Sequence, residues 1–266
     1  MKEKILINGS SLEEVKLLYK KGFVNIYLPL KDYCVGYEEF SVNDIMSLDF
    51  KSYVLINRIL TFKEIDVLKK IIIKLEDKVR GIIFEDIGVF ELLKEINFSK
   101  DMIYFPNHFA TNWQSINAFL ESGLTSVVIS NEITKEEVDK ILSKVSKEVI
   151  VPIYGYNQIM YSRRTLISNF NDYYKLNLSK DNKITEKMSK KELRIKENDF
   201  GTVIFDEVYK NTSLIDKKKN VKYFLVNTTY LKIEKVLEDL KQRVDNNKGF
   251  LNKKTIYKMG DIRERS

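Results

Sequence analysis

Val149–Phe170 reads VIVPIYGYNQIMYSRRTLISNF, and the reading of this stretch decides the fold. It opens as an apolar, β-branched run through Ile153, the pattern of a buried strand. Around Gly155 it breaks into an irregular, polar and aromatic segment carrying Tyr154, Tyr156, Asn157, Gln158, Tyr161, Ser162, Arg163, Arg164, Ser168 and Asn169. A buried strand that delivers such a cluster into a loop is how parallel α/β folds build sites. No Cys, His, Asp or Glu lies between Tyr154 and Phe170, so the stretch holds neither a metal-ligand set nor an acid–base pair.

Upstream, strand and helix signals alternate. Ile5–Ile7, Val24–Leu28, Tyr53–Ile56, Gly81–Phe84, Met102–Phe105 and Ser126–Ile129 are short apolar runs. Between them, Ser11-Leu-Glu-Glu14, Thr61-Phe-Lys-Glu64, Thr111-Asn-Trp-Gln114 and Thr134-Lys-Glu-Glu137 have the spacing of capping boxes. In that motif a hydroxyl takes the amide three residues on and the acid or amide side chain reaches back. Ser41 opens a weaker helix, and one runs from about Val89 to Ile96. Counting Val149–Ile153, there are seven strand–helix units, spaced by about 21 to 28 residues, the pattern of a parallel α/β fold.

Right-handed crossovers repeated without reversal predict a TIM-like (β/α)8 barrel. Tyr223–Val226 supplies the eighth strand, followed by a helix from about Leu231 to Val244. The expected domain is residues 1–245, with an insertion over about 160–220 that contains an antiparallel element at Gly201–Val208. A basic tail covers 246–266. The alternative is an open, doubly wound sheet.

Composition bounds the function. With 266 residues, 44% hydrophobic and 12% aromatic, the chain buries a large core and is not disordered. The charged start Met1–Lys4 does not read as a signal peptide, and no apolar run approaches the roughly 18 residues of a membrane span. One cysteine, Cys34, forbids an internal disulfide and fits a reducing compartment. A cytoplasmic protein without a membrane association is expected. Net charge is +7, from 45 Lys and Arg against 38 Asp and Glu. The excess concentrates in Lys183–Lys196, Lys217–Lys222 and Lys248–Arg265, so a phosphate-bearing partner belongs with the C-terminal half. A Lys- and Asn-rich bias of the whole proteome explains the same excess.

In a parallel barrel the site lies where strands end. Those ends carry Asn8, Asn57, Glu85, Asp86, Asn107, His108, Ser130, Asn131, Glu132, Tyr154 and Asn227. Glu85, Asp86, His108 and Glu132 are the candidates for acid–base work. Against that, Glu85, Asp86 and Glu132 also suit helix N-termini, and a lone His is commonly structural. Arg163 and Arg164 suit an anion or a solvated face, and Cys34 has no neighbouring His. One Cys and one His form no zinc or iron–sulfur set. Neither a Gly-rich phosphate loop nor a Gly-x-Ser-x-Gly elbow is present, so no metal and no cofactor is expected.

GYNQIMYSRRTLISN resembles the signature of the U32 peptidases, the collagenase-like proteases, which reads roughly His-Gly-Ala-x-Cys-x-x-Tyr-Ser-Gly-Arg-Cys-x-x-Ser-Asn. Gly155, Tyr161, Ser162, Arg164, Ser168 and Asn169 match in register. Asp86 and Gly88 are similar to an Asp-x-Gly segment of that family. Thr111, Asn112, Gly123 and Glu132 are similar to a Thr-Asn…Gly…Glu-Leu segment. The first strand–helix–strand and the closing GFLNKKTIYK also resemble family segments, and the likeness covers about residues 4 to 170.

Gln158 and Thr165 stand where the signature has cysteines, Tyr154 where it has His, and Arg163 where it has Gly. The later cysteines that complete an iron–sulfur site in many members are absent. So is a Lys-Ile-Glu-Gly-Arg element, replaced by Leu225-Val-Asn-Thr-Thr229. The resemblance implies substrate contacts at Asn112, Tyr154, Tyr161, Ser162, Arg164, Ser168 and Asn169. Members are classed as proteases, and several are implicated in hydroxylating tRNA, ribosomal RNA or a ubiquinone precursor, some in pairs. The expectation is a barrel that has lost its cluster and serves as a binding or partner subunit, in tRNA hydroxylation. Its partners would be a cluster-bearing relative and RNA, held by the basic C-terminal half. The alternatives are an active hydrolase, with Ser162 as a weak nucleophile, and a barrel binding a polar metabolite through Arg164.

Overall fold

In the computed structural model, which describes residues 1–188, 190–217 and 219–253, the strands form one mixed sheet of eleven, in the order β6-β5-β4-β3-β2-β1-β11-β7-β10-β9-β8. The strands are β1 Ile5–Ile7, β2 Asn25–Pro29, β3 Ser52–Ile56, β4 Val79–Phe84, β5 Asp101–Tyr104, β6 Ser126–Val127, β7 Val149–Ser162, β8 Asp181–Thr185, β9 Glu192–Asn198, β10 Gly201–Lys210 and β11 Val221–Val226. Strands β1 to β6, β11 and β7 run parallel; β7, β10, β9 and β8 pair antiparallel. The helices are α1 Leu12–Lys20, α2 Val42–Met46, α3 Phe62–Leu75, α4 Ile87–Glu95, α5 Trp113–Glu121, α6 Lys135–Lys144, α7 Leu166–Tyr174 and α8 Ile233–Gln242.

The capping motifs act largely as their spacing dictates. Thr61 with Glu64 and Thr134 with Glu137 are complete boxes, and so is Ser41 with Asp44. Ser11 accepts from the Glu14 amide, while the Glu14 carboxylate turns to the Ser10 amide instead. Helix α5 is capped by Asn112 rather than Thr111.

Alternate residues of the parallel strands pack into two apolar clusters, as strands covered on both faces must. Ile5, Ile7, Ile26, Leu28, Val54 and Ile56 face the helices. Leu6, Tyr27, Tyr53, Leu55, Ile83, Ile103, Val128, Ile150 and Leu225 form the other cluster, with every parallel strand or its continuation contributing. Just beyond β6, Val128 bridges to Ile150 in parallel, and the Ile129 amide donates to the Ile150 carbonyl at 2.9 Å.

The insertion departs from expectation. Strand β7 does not end at Ile153; it continues to Ser162, because the polar segment pairs with β10 from Tyr154 to Ser162. The expected single element at Gly201–Val208 is part of β10, which joins β7 to β9 and β8 in an antiparallel extension of the sheet, and α7 lies beside it. Most of the basic tail and the end of GFLNKKTIYK lie outside the described residues. Among the described residues no helix is long and apolar enough to cross a membrane.

Candidate functional site

Two pockets open where the parallel strands end, and Asn107 and Gln158 line both. The smaller, about 30 Å³, has room for a water molecule and is lined by Tyr27, Tyr37, Asn131 and Asn227 among others. The larger, about 230 Å³, is lined by Glu85, Tyr104, His108, Tyr161 and the exposed apolar side chains Ile59 and Phe109.

Strand β4 delivers Glu85 into the larger pocket, where burial pushes its carboxyl up to about 8, against a hydrogen bond from Asn107 that pulls it down. The group is therefore largely a neutral acid at neutral pH, able to donate as well as accept. Asn107 follows β5 in a left-handed conformation, φ +48°, a backbone state that asparagine tolerates better than most residues. His108 Nδ1 lies 2.9 Å from Glu132 Oε2, so two candidates from different strand ends meet at the pocket. Burial raises the Tyr161 phenol, offset by the Ile59 backbone and the Arg58 and Arg163 charges. The Tyr161 hydroxyl is closed off from solvent.

The remaining expected residues go elsewhere. Asp86 caps α4, taking the Gly88 amide at 2.8 Å and the Leu60 amide at 2.7 Å, so both its oxygens hold backbone in place. Asn112, exposed, caps α5 through the Ser115 amide. Tyr154 is turned to the helix side of the sheet, where its hydroxyl donates to buried Asp239 at 2.7 Å. Ser162 Oγ accepts the Arg164 amide. Arg164 and Asn169 are exposed and line neither pocket. Ser168 donates, through amide and hydroxyl, to Glu197.

Asn8 and Asn57 are spent locally: Asn8 on Thr228 and Thr229, and Asn57 on the Val35 backbone. Two important residues carry no expected role. Gln158 lies between the pockets, flagged in sequence by its place in the polar segment after Gly155 and at a cysteine position of the signature. Arg58, next to a strand end, is 4% exposed, pairs with Glu64 and lies 3.8 Å over the Phe200 ring.

The thiol chemistry does not fit an iron–sulfur cluster. Cys34 is the single cysteine, fully buried, its Sγ 3.1 Å from the Leu55 carbonyl, with the thiol pushed up by burial. Among the described residues no group of three or more His, Cys, Asp or Glu is placed to hold a metal.

The pattern of this chain is similar to known proteins over most of its length. It is 25% identical over 178 residues to tRNA hydroxylation protein P1 of Bacillus subtilis (strain 168), covering 63% of this chain and 42% of that protein. It is 28% identical over 140 residues to tRNA hydroxylation protein P of Escherichia coli (strain K12), covering 50% of this chain and 30% of that protein. The chain thus spans less than half the length of these curated relatives. A solved chitinase from Chromobacterium violaceum ATCC 12472 aligns over 90% of this chain and 98% of that chain, at 11% identity and a TM-score of 0.45. The sequence pattern of peptidase family U32 matches residues 10–248, and the chain belongs to that family.

Proposed function

We propose that this chain is a U32 protein working without an iron–sulfur cluster, as a binding or partner subunit in tRNA hydroxylation. The observation that carries this is the replacement of the signature thiols by Gln158 and Thr165, with Gln158 lining both pockets. A side-chain amide there hydrogen-bonds a polar group but ligates no iron. The names of the two curated relatives supply the tRNA part of the reading.

The eight parallel strands close, in this reading, into a barrel within residues 1–245, with β8 to β10 and α7 as its insertion. The Val128–Ile150 bridge and the inner apolar cluster support closure. Phosphate contacts fall to a concave face of about 550 Å³ lined by six basic side chains (Lys183, Lys190, Lys191, Arg194, Lys210 and Lys248) against Glu192, Asp206 and Glu207. Counterion release at such a surface makes RNA binding steeply salt-dependent. The partner would be a family member that keeps its thiols.

The test is made in the native cell. Deleting the gene should lower hydroxylated nucleosides in digested tRNA, and the tagged chain should crosslink to tRNA or retain a cluster-bearing relative. Unchanged tRNA together with neither association sinks the proposal.

A second reading, a hydrolase, is favoured by the His108–Glu132 pair beside the raised Glu85 carboxyl. Its test is cleavage of a peptide library that disappears in Glu132→Gln. Ser162 lines neither pocket, so water activated by the pair would be the nucleophile.

A further inference from the structure

Helix α7 turns an aromatic face to solvent. At 3.6 residues per turn, Ile167, Ser168 and Asn171 fall on one side of it and Phe170, Tyr173 and Tyr174 on the other. The first set is spent inward. Ile167 is buried, Ser168 donates to Glu197, and the Asn171 side chain accepts the Leu178 amide and donates to the Leu178 carbonyl, both at 2.9 Å. The helix and the chain leaving it are thereby held in place. The second set is open: Phe170, Tyr173 and Tyr174 are 46%, 78% and 57% exposed. Their rings pack on one another, with centroids 4.6 Å apart for Phe170 and Tyr174 and 4.7 Å for Tyr173 and Tyr174.

The cations near this face differ from those of the concavity. There, Lys183 pairs with Glu192 at 2.8 Å, Lys191 with Asp206 at 2.6 Å, Arg194 with Asp181 at 2.7 Å, Lys210 with Asp239 at 2.7 Å and Lys248 with Glu207 at 2.7 Å. Each of those carboxylates competes with an incoming phosphate. Arg163 and Arg164 precede α7 and Lys175 follows it; all three are exposed, and none has an ion pair among the described residues. From Arg163 to Lys175 the sequence holds one carboxylate, Asp172. It sits about 100° around the helix from Tyr173 and further from the other two rings.

We propose that the α7 face stacks unpaired bases of a single RNA strand, whose phosphates meet Arg163, Arg164 and Lys175. Every base has a π-face, so exposed rings flanked by cations hold single strands without reading their sequence. A paired duplex hides those faces and offers the rings nothing. An apolar protein surface is disfavoured, because it would strip water from three unpaired cations and two phenol hydroxyls without replacing it. A second copy of this chain is disfavoured by like charge, since Asp172 alone would answer the three cations. The inference rests on the RNA reading given above and deepens it, naming the form of RNA bound and the side chains that hold it.

The experiment titrates the full chain into a fluorescein-labelled short oligouridylate, read by anisotropy. The same strand annealed to its complement, intact tRNA, polyglutamate and anionic phospholipid vesicles are the comparisons. The expected result is binding of the single strand about tenfold tighter than the duplex. Tyr173→Ala and Tyr173→Leu should each weaken it about tenfold, whereas Tyr173→Trp keeps a stacking ring, retains the affinity and loses tryptophan emission on binding. Arg163→Ala with Arg164→Ala should weaken it about threefold and flatten its salt dependence. Equal affinity for duplex and single strand in the unsubstituted chain overturns the inference, whatever the variants do. So does a Tyr173→Leu variant that binds as well as the parent, or a Tyr173→Trp variant whose emission does not change. Preference for polyglutamate or for the vesicles overturns it in favour of an acidic protein or a membrane. Binding of intact tRNA that ignores the Tyr173 variants removes this inference alone; failure to bind either tRNA or oligouridylate removes the RNA reading with it.

Discussion

Glu197 and Ser168 join the insertion to the helix beside it: the Glu197 carboxylate, 3% exposed on β9, accepts the Ser168 amide at 3.2 Å and the Ser168 hydroxyl. The same carboxylate takes the Ile167 amide at 2.6 Å and the Thr202 hydroxyl at 3.2 Å. It thus satisfies the open amides in the first turn of α7, which has no side-chain cap of its own. Glu197→Ala leaves those donors buried and unpaired, and should cost about 2–4 kcal/mol of stability in urea denaturation. Ser168→Ala loses only its hydroxyl bond and should cost about 1 kcal/mol. Equal costs would show that the carboxylate is not the cap.

Glu85 ties stability to pH. Its folded carboxyl, raised to about 8 by burial, lies above the unfolded value near 4.3. Between those values the native state binds the extra proton, so stability falls as pH rises from about 4.3 to about 8. Glu85→Gln removes the titration. It should match the parent at pH 5 and exceed it at pH 9 by about 1–3 kcal/mol, read from denaturation midpoints at both values.

Asp239, fully buried, is held by the Tyr154 hydroxyl at 2.7 Å, Lys210 at 2.7 Å and Lys235 at 3.1 Å. Burial works to raise its carboxyl, but these partners outweigh it and the net shift is downward. Tyr154→Phe should cost about 1–2 kcal/mol and leave the proposed RNA association unchanged, because the hydroxyl is spent on Asp239 of α8. Loss of RNA association with unaltered stability would return Tyr154 to the mouth.

Gly155 sits at φ +148°, a conformation other residues rarely adopt, and an added Cβ would come within 2.8 Å of Asn227 Cβ and 3.1 Å of its carbonyl. Gly155→Ala should therefore cost about 2–4 kcal/mol, seen as a lower thermal midpoint. A neutral substitution would show that β7 and β11 separate easily there.

The strand–helix grammar was legible because it is local. Thr61 and Thr134 announce their helices three residues ahead, and the apolar run Tyr223–Val226 marks most of the eighth parallel strand, Val221–Val226. The course of the chain from Tyr154 to Ser162 was not, because its partner β10, though legible as an antiparallel element, lies 40 or more residues on and the polar segment does not signal the pairing. Tyr154 misled for the same reason: whether a strand residue faces mouth or helices depends on register, which a polar partner does not reveal. Glu85 and His108 were visible as polar residues at strand ends. Gln158 and Ser168 were both visible among the polar residues after Gly155 and through the signature; that Ser168 is spent on Glu197 was not, because Glu197 is distant in sequence.

The uninterrupted backbone of β7 has a mechanical consequence. It runs fourteen residues, from the middle of the parallel strands into the insertion, and β10 follows it along the outer stretch. The two regions share one strand, so a swing of the insertion over the pockets would have to bend β7 itself. The larger pocket takes one wall, with Gln158 and Tyr161, from that strand, and heat should melt insertion and parallel strands in a single cooperative step.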